Sequence, residues 1–78
     1  MNRYFIDVTA RNKAGVLNRI TSVFSRLSVN IDFLALSDAE CEGCAKLSFG
    51  YSCTPKENSL LTGRIEKVFD VCCVEETS

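Results

Sequence analysis

The sequence predicts an α+β fold, a ferredoxin-like βαββαβ sandwich in which two helices cover one face of a four-stranded antiparallel sheet. Segments that alternate between apolar and polar residues are interrupted twice by apolar residues at helical spacing, which gives the order β-α-β-β-α-β. The chain has 78 residues, 46% of them hydrophobic. We therefore expect one domain, residues 1–78, with a core so small that self-association would help to stabilise it.

The first half of the chain predicts a strand, a helix and a second strand. Apolar and polar residues alternate from Arg3 to Arg11, with Tyr4, Ile6, Val8 and Ala10 on one side, which is typical of a strand. The next apolar residues recur at the spacing of an amphipathic helix, at Val16, Leu17, Ile20, Val23, Phe24 and Leu27. Asn12 is predicted to cap this helix, because its side-chain oxygen can accept a hydrogen bond from a first-turn N–H. Alternation resumes from Asn30 to Ser37, with Ile31, Phe33 and Ala35 predicted on one face.

The second half predicts a strand, a helix and a short final strand. A polar turn at 38–43 precedes a strand from Ala45 to Cys53. The predicted core face of this strand comprises Ala45, Leu47, Phe49, Tyr51 and Cys53. Thr54–Glu57 then combines a capping threonine, a proline and a glutamate three residues after the cap, which predicts a helix start. The apolar stripe of that helix is Leu61, Ile65, Val68 and Phe69, and Val71–Glu75 predicts the last strand.

Composition excludes several classes of function. The net charge of -1 gives no electrostatic reason to expect nucleic acid or an anionic membrane as a partner. No apolar run is long enough for a membrane span and no export signal is visible, so we expect a cytoplasmic protein with free thiols. The chain has no histidine, so Ser-His and Cys-His nucleophilic pairs cannot be built. We expect no enzyme activity and no cofactor.

Two alternative functions of this topology have weaker support. RNA binding would need exposed aromatic residues, whereas Phe49 and Tyr51 share the predicted core face with Leu47. The Cys41-Glu42-Gly43-Cys44 segment has the spacing of thiol metal or redox sites, but it lies in a predicted turn and its acidic neighbours would raise a thiol pKa. Cys72 and Cys73 are predicted to point alternately into and out of the protein along a strand, which favours packing over chemistry.

The segment Asn12-Lys13-Ala14-Gly15-Val16-Leu17 is the candidate ligand site. It joins a strand to a helix start, where free N–H groups and the positive end of the helix dipole favour a carboxylate. Gly15 would let a ligand approach the backbone closely. The same features also occur in an ordinary capped helix with a tight turn.

This segment is also where the chain resembles a known family. The run from Asn12 to Ile20, Phe24-Ser25-Arg26 and the Asn30-Ile31 pair resemble the ACT domain, in particular the regulatory small subunit of acetolactate synthase. The closing segment from Lys67 to Val74 is similar to the same family.

The resemblance implies a homodimer that binds a branched-chain amino acid such as valine between its copies. In this chain Asn12, Ala14, Gly15, Val16 and Leu17 would then form one side of the pocket. Asn30 and Ile31 of a second copy would meet the ammonium group and the side chain. The resemblance also implies regulation of the thiamine-diphosphate-dependent catalytic subunit of acetolactate synthase.

The chain departs from the family pattern in two ways. Ser28-Val29 stands where the family usually has a glycine before the Asn-Ile pair. Larger members carry a second domain after the ACT unit, and this sequence, which ends at Ser78, resembles the short form. Three hypotheses remain: a regulatory subunit of acetolactate synthase, a free-standing amino-acid sensor or interaction module with another partner, and a thiol metal or redox module using Cys41 and Cys44.

Overall fold

The computed structural model describes residues 1–77 and has the predicted element order. Its elements are β1 (Asn2–Arg11), α1 (Val16–Arg26), β2 (Ile31–Asp38), β3 (Cys44–Cys53), α2 (Pro55–Glu66) and β4 (Val71–Glu76). The strands form one antiparallel sheet in the order β2-β3-β1-β4, so β2 and β4 are its edges. The predicted ferredoxin-like architecture is confirmed. Within residues 1–77 no helix is long and apolar enough to cross a membrane.

The core lies between the sheet and the two helices. Its buried residues are Ile6, Val8, Ala10, Val16, Ile20, Phe24, Val29, Leu47, Phe49, Tyr51, Cys53, Leu61 and Ile65. The predicted inner faces of β1 and β3 are therefore confirmed, including the burial of Phe49 and Tyr51. The ring centroid of Phe24 lies 4.9 Å from that of Phe49 and 5.3 Å from that of Tyr51, and these contacts pack α1 against β3.

The start of α2 forms as the sequence predicts. The Thr54 hydroxyl accepts a hydrogen bond from the Glu57 N–H at 3.2 Å, and a carboxylate oxygen of Glu57 accepts from the Thr54 N–H at 2.9 Å. This reciprocal pair satisfies two backbone donors that a helix start would otherwise leave free. One turn later, the buried Asn58 accepts from the Tyr51 hydroxyl at 2.6 Å and donates to Glu76 at 3.0 Å, which ties α2 to β3 and β4.

A β-bulge corrects the predicted faces of β2. Ile31 lies opposite Tyr51 while Phe33 lies opposite Gly50, so one extra residue of β2 sits between them. Ile31 therefore shares the helix-covered face with Leu34 and Leu36, which lie opposite the core residues Phe49 and Leu47. Phe33 and Ala35 lie on the open face. The prediction that Ile31, Phe33 and Ala35 share one face was wrong, because a bulge shifts the two-residue alternation by one.

A second bulge lies in β4 at the two neighbouring cysteines. Thr9 of β1 pairs with Cys73, but Ala10 pairs with Val71, which leaves Cys72 as the extra residue. Cys72 and Cys73 are both exposed, so the prediction that one of them points into the protein is wrong.

Candidate functional site

The loop between β1 and α1 is held by backbone hydrogen bonds. The Asn12 N–H donates to the Gly43 carbonyl in the β2–β3 turn at 2.9 Å, and the Lys13 N–H donates to the Arg11 carbonyl at 2.9 Å. Gly15 is the N-cap residue of α1, and no side chain of residues 1–77 caps this helix. The prediction that Asn12 caps the helix was wrong, because its backbone is tied to the neighbouring turn and two further loop residues precede the cap.

Gly15 has a backbone conformation that glycine adopts most easily. Its φ is 85°, in the left-handed region where an L side chain is strained. A Cβ atom at this position would have no atom of the protein within 4 Å. Glycine is therefore required by the backbone and not by packing, and the space in front of the helix start is open. The Val16 N–H donates to the Lys13 carbonyl at 3.3 Å, whereas no side chain of residues 1–77 accepts a hydrogen bond from the first turn. The N–H groups of Leu17 and Asn18, near the positive end of the helix dipole, are therefore the first-turn donors left for a ligand.

A small cavity lies beside this loop, with a volume of about 100 Å³. It is lined by Ala10, Arg11, Asn12, Lys13, Val16, Leu17, Leu36, Ala45 and Leu47. Its walls combine the loop and the first turn of α1 with apolar residues of three strands. Pockets for drug-sized ligands measure roughly 300 to 1,000 Å³, so this cavity suits one small aliphatic side chain.

The predicted site residues fall into two groups in one copy of the chain. Asn12, Val16 and Leu17 line the cavity, and Ala14 and Gly15 belong to the same turn without lining it. Asn30 and Ile31 lie at the other end of the sheet, since Ile31 is opposite Tyr51, which is itself opposite Tyr4 near the start of β1. A single copy does not bring these two groups together.

Sequence reasoning missed two residues that shape the site. Leu36 contributes a wall of the cavity from β2, and it remains 65% exposed because β2 is a sheet edge. Asp70 accepts the Arg11 N–H at its backbone carbonyl (2.8 Å), and its carboxylate lies 3.9 Å from both Arg11 Nε and Lys13 Nζ. Asp70 thus fixes the base of the loop from a position 57 residues beyond Lys13 in the chain. Only the pairing of β1 with β4 reveals this contact.

Comparison with known proteins identifies one family. The sequence model of the family of AHAS small subunit-like ACT domains matches residues 6–72 of this chain. The acetolactate synthase small subunit of Bacillus subtilis is 33% identical over an alignment of 73 residues, and the match covers 91% of this chain and 42% of that protein. The chain therefore spans less than half the length of this curated relative.

Solved structures agree on the fold. The acetolactate synthase small subunit from Thermotoga maritima superposes with a TM-score of 0.88 at 20% identity, over 97% of this chain and 47% of that one. The ACT domain from the GTP pyrophosphokinase of Chlorobium tepidum superposes with a TM-score of 0.79 at 25% identity, over 96% of both chains.

Proposed function

The chain belongs to the family of AHAS small subunit-like ACT domains, and from this membership we propose that it is a regulatory domain of acetolactate synthase. It binds a branched-chain amino acid such as valine between two copies of itself and has no catalytic activity of its own. The observation that carries this proposal is the open, glycine-capped start of α1 beside a small apolar cavity.

The two parts of the site suit the two parts of an aliphatic amino acid. The N–H groups of Leu17 and Asn18 in the first turn of α1 bind the ligand carboxylate, because backbone donors and the helix dipole both favour an anion there. The cavity walls formed by Val16, Leu36 and Leu47 receive the aliphatic side chain. Lys13 adds a positive charge at the rim, although its ammonium also lies near Asp70.

A second copy completes the site. β2 is a sheet edge with unpaired backbone groups, and its Leu34 and Leu36 are exposed. If two β2 strands pair antiparallel about a two-fold axis, the Ile31 end of one strand lies beside the Asp38 end of the other. The Asp38 end is level with Ala10 and the ligand loop, through the pairing with Ala45. This arrangement supports the proposal that Asn30 and Ile31 of one copy complete the pocket of its partner.

The proposed larger partner is the catalytic subunit of acetolactate synthase. A free-standing amino-acid sensor with a different partner is the alternative, and it shares the same ligand site. Affinity capture from native cytosol with and without valine separates the two. Recovery of a thiamine-diphosphate enzyme supports the first, and its absence with another protein recovered supports the second.

Isothermal titration of the protein with valine, leucine and isoleucine tests the ligand claim. Gly15→Asp and Gly15→Asn form a matched pair, because both side chains have similar size and similar tolerance of a left-handed backbone, but only one is charged. We expect Gly15→Asp to abolish binding by placing a carboxylate where the ligand's own carboxylate binds. Gly15→Asn should retain measurable affinity.

Circular dichroism of both variants provides the control for folding. Equal loss of binding in the two variants would mean that carboxylate recognition at this helix start is wrong. Absence of heat and of thermal stabilisation with every branched-chain amino acid at millimolar concentration would remove the ligand claim altogether.

A further inference from the structure

Four of the five cysteines lie near one end of the sheet. Cys41 and Cys44 flank the β2–β3 turn, and Cys72 and Cys73 follow the start of β4. Cys41 and Cys73 line the same surface cavity, of about 470 Å³, together with Thr9 of the intervening strand. Folding therefore gathers cysteines that the sequence separates by about 30 residues.

The β2–β3 turn brings Cys41 and Cys44 close together. The Cys44 N–H donates to the Cys41 carbonyl at 3.3 Å, which closes a four-residue turn, and Gly43 supplies the left-handed residue with a φ of 78°. The first and fourth Cα atoms of a β-turn lie less than about 7 Å apart. Disulfides span Cα separations of about 4.4 to 6.8 Å, so the separation across a turn of this kind suits one.

Cys72 is a third thiol near Cys44, but Cys41 is the better placed of the two to form a disulfide with Cys44. β1 lies between β3 and β4, so Cys44 and Cys72 stand two strand spacings apart, about 9.6 Å at the backbone. That separation exceeds what a disulfide spans. The Cys72 thiol still lies near enough to Cys44 to oppose its ionisation, as does Cys41. Burial, then Cys72 and then Cys41, raises the pKa of the Cys44 thiol above its ordinary value.

The same thiols do not form a metal centre in this arrangement. Among residues 1–77, no three Cys, Asp or Glu side chains are positioned to hold a metal ion together. Cys44 also lacks a stabilised thiolate, which is the species that binds soft metals. A dithiol whose reduced form receives no such stabilisation favours the disulfide when an oxidant is present.

We propose that Cys41 and Cys44 are a redox modification site, which closes to a disulfide by exchange with a low-molecular-weight disulfide such as oxidised glutathione. The exposed Cys41 thiolate attacks one sulfur of glutathione disulfide, forming a mixed disulfide and releasing one glutathione thiolate, which takes up a proton. Cys44 then loses its proton, and its sulfur attacks the Cys41 sulfur and displaces the second glutathione. The two protein thiols are oxidised, and one glutathione disulfide is reduced to two glutathione molecules.

The turn is linked to the ligand loop, so the modification has a route to the proposed function. The Gly43 carbonyl between the two cysteines accepts the Asn12 N–H. A disulfide across the turn restrains that carbonyl and pre-organises the loop that starts at Asn12. Pre-organisation lowers the entropic cost of binding, so the oxidised protein should bind valine several-fold more tightly. This consequence rests on the proposed function, whereas the disulfide itself does not.

The disulfide is tested by treating the protein with oxidised glutathione, then unfolding it and counting its thiols. The five thiols should fall by two, and peptide mapping by mass spectrometry should find the Cys41–Cys44 pair. Cys41→Ser and Cys44→Ser should each prevent the intramolecular bond, and Cys73→Ser is the matched control that keeps it. Cys72→Ser should also keep it.

Three outcomes would overturn the disulfide. They are retention of all five thiols, a mapped Cys44–Cys72 bond, and loss of two thiols in the Cys41→Ser variant. Calorimetry with valine on reduced and oxidised protein then tests the coupling. Equal affinity of the two forms would disprove the coupling, while no binding to either form would instead disprove the proposed function and leave the disulfide standing.

Discussion

Left-handed backbone occurs at four residues of the described chain, and glycine occupies two of them. Gly15 and Gly43 adopt it at low cost, whereas Ser28 and Asp70 have φ values of 56° and 78° with a side chain present. At Asp70 this backbone strain is offset, because the carboxylate lies near the positive charges of Arg11 and Lys13. Ser28 makes no comparable contact among the described side-chain hydrogen bonds and ion pairs, so no side-chain interaction offsets its backbone strain.

Ser28 ends α1 in a way that glycine would favour. The Val29 N–H donates to the Phe24 carbonyl at 2.9 Å and the Ser28 N–H to the Ser25 carbonyl at 3.1 Å, which is the Schellman pattern. We expect Ser28→Gly to raise the free energy of unfolding by about 1 kcal/mol, because the left-handed penalty disappears. Urea denaturation measures the change. Ser25→Gly inside the helix is the matched control and should destabilise by about 0.5 to 1 kcal/mol. A destabilising Ser28→Gly would contradict this account.

At the scale of elements, a polar chain of contacts joins α2 to the sheet. The Tyr51 hydroxyl donates to Asn58, and Asn58 donates to Glu76 of β4. Burial, followed by the nearby Cys53 and Glu76, raises the pKa of Tyr51 above its ordinary value of 10.0. Burial, followed by Glu57, raises the pKa of Cys53 above 9.0. Both groups are neutral when protonated, so the fold favours their protonated forms.

This preference predicts alkaline destabilisation. The unfolded chain loses these protons at lower pH than the folded protein, so the stabilisation is complete below pH 9 and is lost as the pH rises above about 9. Urea denaturation from about pH 8 to about pH 11 should show a falling free energy of unfolding. Tyr51→Phe should reduce the slope above about pH 10, while costing about 1 to 3 kcal/mol at neutral pH because Asn58 loses its donor. An unchanged slope in this variant would exclude Tyr51 as a source.

At the scale of the whole molecule, the sheet has one apolar edge. Leu34 and Leu36 of β2 are 44% and 65% exposed, and they project on the helix-covered face beside the free strand edge. Exposed leucines on an unpaired edge strand favour association with a second copy. This edge is where the proposed dimer would form.

Charge at this edge should separate the copies. We expect the protein to sediment as a dimer. Leu34→Lys should sediment as a monomer, because pairing through β2 would bury two lysine charges in an apolar interface. Leu60→Lys is the matched control, since Leu60 on α2 has the same 44% exposure away from that edge. Sedimentation velocity measures both. A dimeric Leu34→Lys, or a monomeric wild-type protein, would contradict pairing through β2.

The sequence by itself determined the element order, the inner faces of β1 and β3 and the capping box of α2, because periodicity and capping are local properties. It also marked the β1–α1 loop as the candidate ligand site. Only the tertiary structure decided that Gly15 and not Asn12 caps α1, that bulges reorient β2 and expose Cys72, and that Leu36 and Asp70 shape the loop's surroundings. These features depend on strand register and on contacts between distant residues, which follow from how the sheet pairs and not from the spacing of residues along the chain.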